Sequence, residues 1–394
     1  MPDREFSGFE VDNVADAVRQ PPLHELRVAA RSRRRRSAAL GATALAVLVA
    51  AAVVPAAAQP EWLGSPSRPG PSAGRLLPGV AGDFTLTGPR SGVDVRVEPC
   101  VLRFARTTDG GRTWSDWDDA RYEADDCQPG SSLEYTVLAD GTYLVRDGLR
   151  RLSTDYGRTW QDADEAIIPV RTFPANTRPV HCQFVCPAVD EPLAVDPATG
   201  IAYRLSGTPP TPLRLASLYP ASDGSIWTTY GPGRGTVGAR SADRGATWTT
   251  WKPATGRRLM ALVGINNREG YQLVEDPDGE ASLERTSDGG ATWSVTMAGL
   301  PGGIQGDLTV GADGSLLIVT QTGPESDRTT EVLASHDDGR SFTVVREGGM
   351  PVASVSVTPG YAWVFDPGGP GGEAEHLFLT RDGRTWSRFF LASA

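Results

Sequence analysis

The 394-residue chain carries 45 Gly and 31 Pro, is 39% hydrophobic and only 8% aromatic, a density of chain-breaking residues that excludes a helical bundle and favours short strands with tight turns. Its net charge is -10, and Lys252 is the single lysine beside 37 arginines. Residues 1–37 hold 8 Arg against 6 acids, so the remainder carries -12, which excludes tracking of a phosphate backbone.

The first element is an apolar run, 38–58, directly behind Arg33, Arg34, Arg35 and Arg36. Its 21 residues can cross a hydrocarbon core of about 30 Å, and the arginines hold the N-terminus in the cytoplasm. A cleaved signal peptide is the competing reading, with Ala56, Ala57 and Ala58 as small residues at the cleavage site. The 37 residues before the run, six of them acidic, are long for a signal sequence, so one transmembrane helix is the expectation. Either way, residues from 59 onward lie outside the cytoplasm: the chain is a single-pass protein of the cell membrane, or is secreted if cut near Ala58. Residues 59–81 are rich in Pro, Gly and Ser and read as an extended tether.

From residue 82 to 394 one pattern recurs: Ser/Thr-x-Asp-x-Gly-x-Thr/Ser-Trp/Phe. Five full copies contain Asp109 and Trp114, Asp155 and Trp160, Asp243 and Trp248, Asp288 and Trp293, and Asp337 and Phe342. A sixth, with Asp382 and Trp386, is one residue shorter. Their aromatic residues are spaced by 46, 88, 45, 49 and 44 residues, so the second gap hides one copy. Tyr203, 43 residues after Trp160 and 45 before Trp248, marks it, with Asp196 to Tyr203 as a hairpin whose aspartate has left the register. Seven units of about 45 residues fit four-stranded propeller blades, giving an all-β, seven-bladed propeller.

These strings are Asp boxes, and the chain resembles the Asp-box (BNR) repeat propellers of the sialidase-like superfamily. Its blade count is closer to the seven-bladed photosystem II assembly factors than to six-bladed sialidases. With strands A to D in each blade, the box joins C to D. Its Gly supplies a positive φ, and its Asp accepts turn N–H groups. Each Trp or Phe should pack between blades, where burying about 150–250 Å² contributes about 4–6 kcal/mol at most. Identical aspartates spread around a ring are structural, because catalysis needs different groups converging on one point.

The blades differ in their B–C connections, where the ligand is expected. Candidate binding residues there are Arg234, Asp276, Asp278, Glu325, Arg328, Asp366, Glu375 and His376, with Glu123, Asp125 and Asp126 nearby. Asp276-x-Asp278-Gly279 lacks the later bidentate Glu of a calcium loop. Cys182 and Cys186 lack the second pair a zinc site needs. No metal and no cofactor is expected. Cys100 and Cys127 fall on the B–C side of blade 1, which pairs them and leaves Cys182 with Cys186.

The resemblance implies an enzyme or a binding protein. The Arg-Ile-Pro motif of sialidases is missing, and no arginine triad or Tyr-Glu pair can be assigned by position. The first expectation is therefore a membrane-anchored, extracytoplasmic binding or scaffold propeller with a protein or glycan ligand and no nucleic acid. The alternative is an exo-α-sialidase-like glycoside hydrolase, which arginines converging on the central cavity would favour.

Overall fold

The computed structural model describes residues 84–125, 133–182, 186, 188–207, 210–300, 304–322, 329–348, 355–366 and 376–392. Their strands form seven four-stranded sheets. The chain is a seven-bladed β-propeller. The expected membrane span, 38–58, and the tether lie outside the described residues. Among those described, no helix is long and apolar enough to cross a membrane.

Six blades are antiparallel meanders taken in chain order. Blade 1 shows the logic: Phe84–Leu86, Gly92–Glu98, Val101–Thr107 and Arg121–Glu123 lie side by side, with the box between the third and fourth strands. The second and third strands are the most deeply buried. Val93, Val95, Leu102 and Phe104 from blade 1 meet Val137, Tyr143 and Val145 of blade 2 in one apolar cluster between the sheets.

Blade 3 departs from the expected hairpin. Its sheet runs Arg178–Pro179, Leu193–Val195, Ala202–Leu205, Ile168–Val170, and the last pair is parallel, with Tyr203 opposite Ile168. The turn 196–201 thus joins the second and third strands, not the third and fourth, so it is not a decayed box. The cause lies upstream. After blade 2 ends at Gln161–Asp162, the side chain of Asp162 caps a one-turn helix, Ala163–Ala166, by accepting from Asp164 N. The helix turns the chain so that Ile168–Val170 is laid along the outside of blade 3 before the inner strands form. The expected blade stands, but its outer strand comes from in front.

The ring closes without a shared sheet. Phe389 of blade 7, 1% exposed, packs edge-on against Phe84 of blade 1 at 5.0 Å. Trp114 Nε1 donates to Phe390 O (3.2 Å), and Phe390 N donates to Gly110 O (3.2 Å). Inside, Tyr219 reaches from blade 4 to blade 6, where its hydroxyl accepts from Val310 N (3.1 Å) and lies 3.1 Å from Thr309 Oγ1. Thr309 Oγ1 in turn donates to Thr358 O of blade 7 (2.9 Å) and accepts from Gly360 N (3.0 Å). Tyr219 is a bolt across the centre of the ring.

Candidate functional site

The six boxes share one geometry. In blade 2 the Ser153 hydroxyl donates to Asp155 Oδ1 (2.9 Å) and accepts from Gly157 N (2.8 Å). Asp155 Oδ1 accepts from Thr159 N (2.9 Å) and Oδ2 from Thr159 Oγ1 (2.7 Å). The same bonds recur at Asp109, Asp243, Asp288 and Asp337. Even the shortened box keeps them, with Thr385 N and Oγ1 on Asp382. Bonds from Thr113 N and Oγ1 hold Asp109 down to a pKa of about 2. The Thr292 hydroxyl and N–H do the same for Asp288, and those of Ser341 for Asp337, each again to about 2. At Asp155 and Asp243 burial pushes the pKa up, but the Thr and Ser bonds outweigh it and the net direction is down. Carboxylates so engaged are turn staples with no proton to offer at neutral pH.

The sequence pattern conceals one feature of the box. The residue before its Gly also has positive φ: Tyr156 at 67°, Arg244 at 59° and Asp338 at 61°, with Gly110 and Gly289 in the Gly-Gly boxes. The box aromatics reach the preceding blade, as Trp160 Nε1 does to Arg121 O (2.8 Å) while its ring meets Tyr122 at 5.0 Å. All six are half-buried rather than enclosed, so each contributes less than complete burial would.

Of the expected B–C residues, Arg234 comes beside the turn that carries Asp276 and Asp278. Arg234 is exposed in a 3-10 turn, Gly233–Gly235, within 3.5 Å of Pro277 O. Asp276 accepts from Arg257 Nε (2.6 Å), which lies just before the strand Arg258–Gly264, and Asp278 Oδ1 accepts from Glu280 N (3.3 Å), which braces its own turn. His376 opens the strand His376–Thr380 opposite Asp366, is 1% exposed, and sits 4.7 Å from the Phe378 ring. It is packed inside the blade. Glu325, Arg328 and Glu375 lie outside the described residues, as does Asp126; Glu123 pairs with Arg121 (2.8 Å), and Asp125 is exposed.

Cys182 and Cys186 form the expected disulfide, with Cα atoms 5.4 Å apart. Cys100 is also disulfide-bonded; its expected partner Cys127 lies outside the described residues. Cys182 is tied to blade 4: it and Leu218 exchange both backbone hydrogen bonds, 3.1 and 2.8 Å, and His181 Nδ1 lies 2.8 Å from Leu218 O.

The concave feature of the molecule is on the other side. The A–B turns of six blades and the blade 3 turn surround a cup of about 1160 Å³ at the box face, walled by residues such as Thr87, Thr142, Thr199, Ala221, Ile265, Ala312 and Pro359. Its charged lining consists of Asp140, Arg178, Asp223 and Arg244, with His181. Asp223 accepts from Ser225 N (3.0 Å), Ser225 Oγ (2.6 Å) and Asn267 N (2.7 Å), and Asp140 accepts from Thr87 Oγ1. Arg244 donates to the carbonyls of Phe173 (2.9 Å), Pro174 and Thr177 (3.0 Å), which ties the irregular lead of blade 3 to the box of blade 4. Two arginines line the cup, and one is spent on carbonyls; an arginine triad does not assemble from the described lining. The cup was missed because its walls are Thr, Pro, Ala and Gly turns, which read as punctuation in sequence.

No protein-family model matches the chain, and no curated protein does. Solved structures with a similar course of chain include a GH74 xyloglucanase from Xanthomonas campestris, at 13% identity and TM-score 0.37, covering 79% of this chain and 66% of that one. Another is YCF48 bound to a D1 peptide, at 15% identity and TM-score 0.32, covering 78% of this chain and 79% of that one. YCF48 from Cyanidioschyzon merolae aligns at 17% identity and TM-score 0.31 over 62% of this chain and 74% of that one. The strand pairing itself, and not these likenesses, establishes the propeller.

Proposed function

We propose that this chain is a membrane-anchored, extracytoplasmic propeller that works as a binding or scaffold module and receives a segment of another protein in the cup at its box face. The observation that carries the reading is the cup: a concavity built by turns from all seven blades, where a ligand touches every repeat at once. Its volume of about 1160 Å³ lies above the range of about 300–1,000 Å³ usual for small-molecule sites. The anchor rests on the arginine cluster and the apolar run that follows it.

A protein ligand is favoured over a glycan by the aromatic side chains of the wall. Sugar rings need open aromatic faces. Here Tyr156, though 36% exposed, has one face taken by the Arg106 guanidinium (4.1 Å), Tyr361 lies near that of Arg381 (5.2 Å), and Tyr219 is 4% exposed.

Two measurements on the full chain test this. Protease protection with N-terminal sequencing should find an intact N-terminus shielded inside and the propeller outside; a mature chain beginning at Gln59 and recovered from the medium would remove the anchor. Fluorogenic sialosides and other glycosides should remain uncleaved, and turnover that tracks the purified protein would replace the binding reading with a hydrolase.

A further inference from the structure

The cup has a polarity that its overall composition hides, and the inference drawn from it rests on the cup being the binding site. Two of its lining cations, Arg178 and Arg244, fall in one corner. Arg244 Nη2 donates to Thr177 O, the carbonyl next to Arg178 in sequence. The three carbonyls around Arg244 solvate its charge without cancelling it. Its backbone pairs with Val195 in the sheet, but the Arg178 side chain is exposed to the cup, and no hydrogen bond, ion pair or ring contact joins that side chain to another described residue. In blades 2 and 3 Arg146, Arg150, Arg151 and Arg204 are paired to acids such as Asp190 and Glu191; Arg158 and Arg171 have no acid partner among the described residues either, but Arg178 is the one that lines the cup.

The remaining wall offers an anion little. Pro89, Pro179, Pro197, Pro220 and Pro359 all face the cup, and none has an N–H to donate. The Asp140 and Asp223 carboxylates repel negative charge elsewhere on the rim. Beside the neutral Thr, Ser and Gly donors of the wall, Arg178 brings a charged donor whose side chain is unengaged, and its planar fork accommodates a carboxylate through two parallel bonds.

We propose that Arg178 anchors a carboxylate carried by the polypeptide segment that enters the cup. Two sources share that chemistry: the C-terminal carboxylate of the segment and an Asp or Glu side chain within it. Neighbouring Arg244 sets the local positive potential, and its own bonds keep it a wall residue.

The test uses the purified full chain in mild detergent and a random octapeptide library prepared with free and with amidated C-termini. The wild type should enrich peptides with a carboxylate about tenfold over neutral amidated ones. Enrichment confined to the free-acid library identifies the C-terminus; enrichment of Asp or Glu within the amidated library identifies a side chain. Arg178→Gln should erase the preference while still retaining neutral peptides, Arg178→Lys should restore part of it, and Arg178→Glu should invert it toward Lys-bearing peptides, all with unchanged melting curves. Neutral amidated peptides bound as well as acidic ones would overturn the anchor and leave the cup as a binding site. If no peptide competes for the cup at all, the anchor and the binding reading fall together.

Discussion

Gly110 and Gly111 are adjacent, share a φ of 81°, and sit in the same box, yet they should respond differently to a methyl group. At Gly110 an added Cβ meets nothing within 4 Å. At Gly111 it would lie 1.7 Å from Phe390 O, 2.6 Å from Phe390 C and 2.8 Å from Phe390 N, all backbone atoms of the last blade. Both substitutions carry the left-handed penalty of about 1–2 kcal/mol. Only Gly111→Ala must also push the final strand off blade 1. That strain costs about 1–3 kcal/mol. It also stretches the two seam hydrogen bonds at Phe390, worth about 1 kcal/mol each. The expectation is a loss of about 1–2 kcal/mol for Gly110→Ala and about 4–7 kcal/mol for Gly111→Ala, measured by urea unfolding, with the C-terminal strand becoming the first site of proteolysis in the second variant. Equal losses for the two would refute the idea that the ring is closed by this seam.

Three further outcomes follow from the boxes. Ser153→Ala strands the buried Gly157 N–H, whose partner hydroxyl is 0% exposed, and should cost about 1–3 kcal/mol in chemical denaturation, with no loss of ligand affinity while folded. Asp338→Gly relieves a left-handed φ at the cost of one 3.7 Å contact to Arg285, and should raise stability by about 1 kcal/mol; a lower melting temperature would contradict the conformational argument. Because the folded pKa values of Asp109, Asp288, Asp337 and Asp382 are depressed to about 2 from an ordinary 3.8, the stability they supply is complete above pH 4 and is lost as pH falls toward 2. Acid titration followed by tryptophan fluorescence should place part of the unfolding in that window, and Asp→Asn changes at these four positions should flatten it.

The blades were legible because the box leaves a fixed chemical trace. Thr or Ser, Asp, Gly and Trp each do one local job at one spacing, so repetition exposes the ring. Blade 3 was legible as a unit but not in its path. Nothing in Ile168-Pro169-Val170 marks a parallel outer strand, which is created by a helix cap at Asp162 and by Arg244 gripping carbonyls about 70 residues earlier in the chain. His376 stood in a run of Gly, Pro and Glu, and its burial depends on Phe390 of the neighbouring strand, 6.0 Å between ring centroids, which no local pattern reveals. The cup was hidden for a related reason. Its walls are assembled one turn per blade, and the arginine that distinguishes it, Arg178, lies in no repeat.

The side of the ring that meets the partner is the decisive point, and site-specific photo-crosslinking measures it directly. A photoreactive amino acid at Thr199, in the cup wall, and another at Asp278, exposed on the B–C side, would be introduced separately into the full chain in its native cells. Crosslinks to an extracytoplasmic polypeptide from Thr199 and none from Asp278 are the predicted result. Crosslinks from Asp278 alone would place binding on the acidic B–C loops and contradict the account.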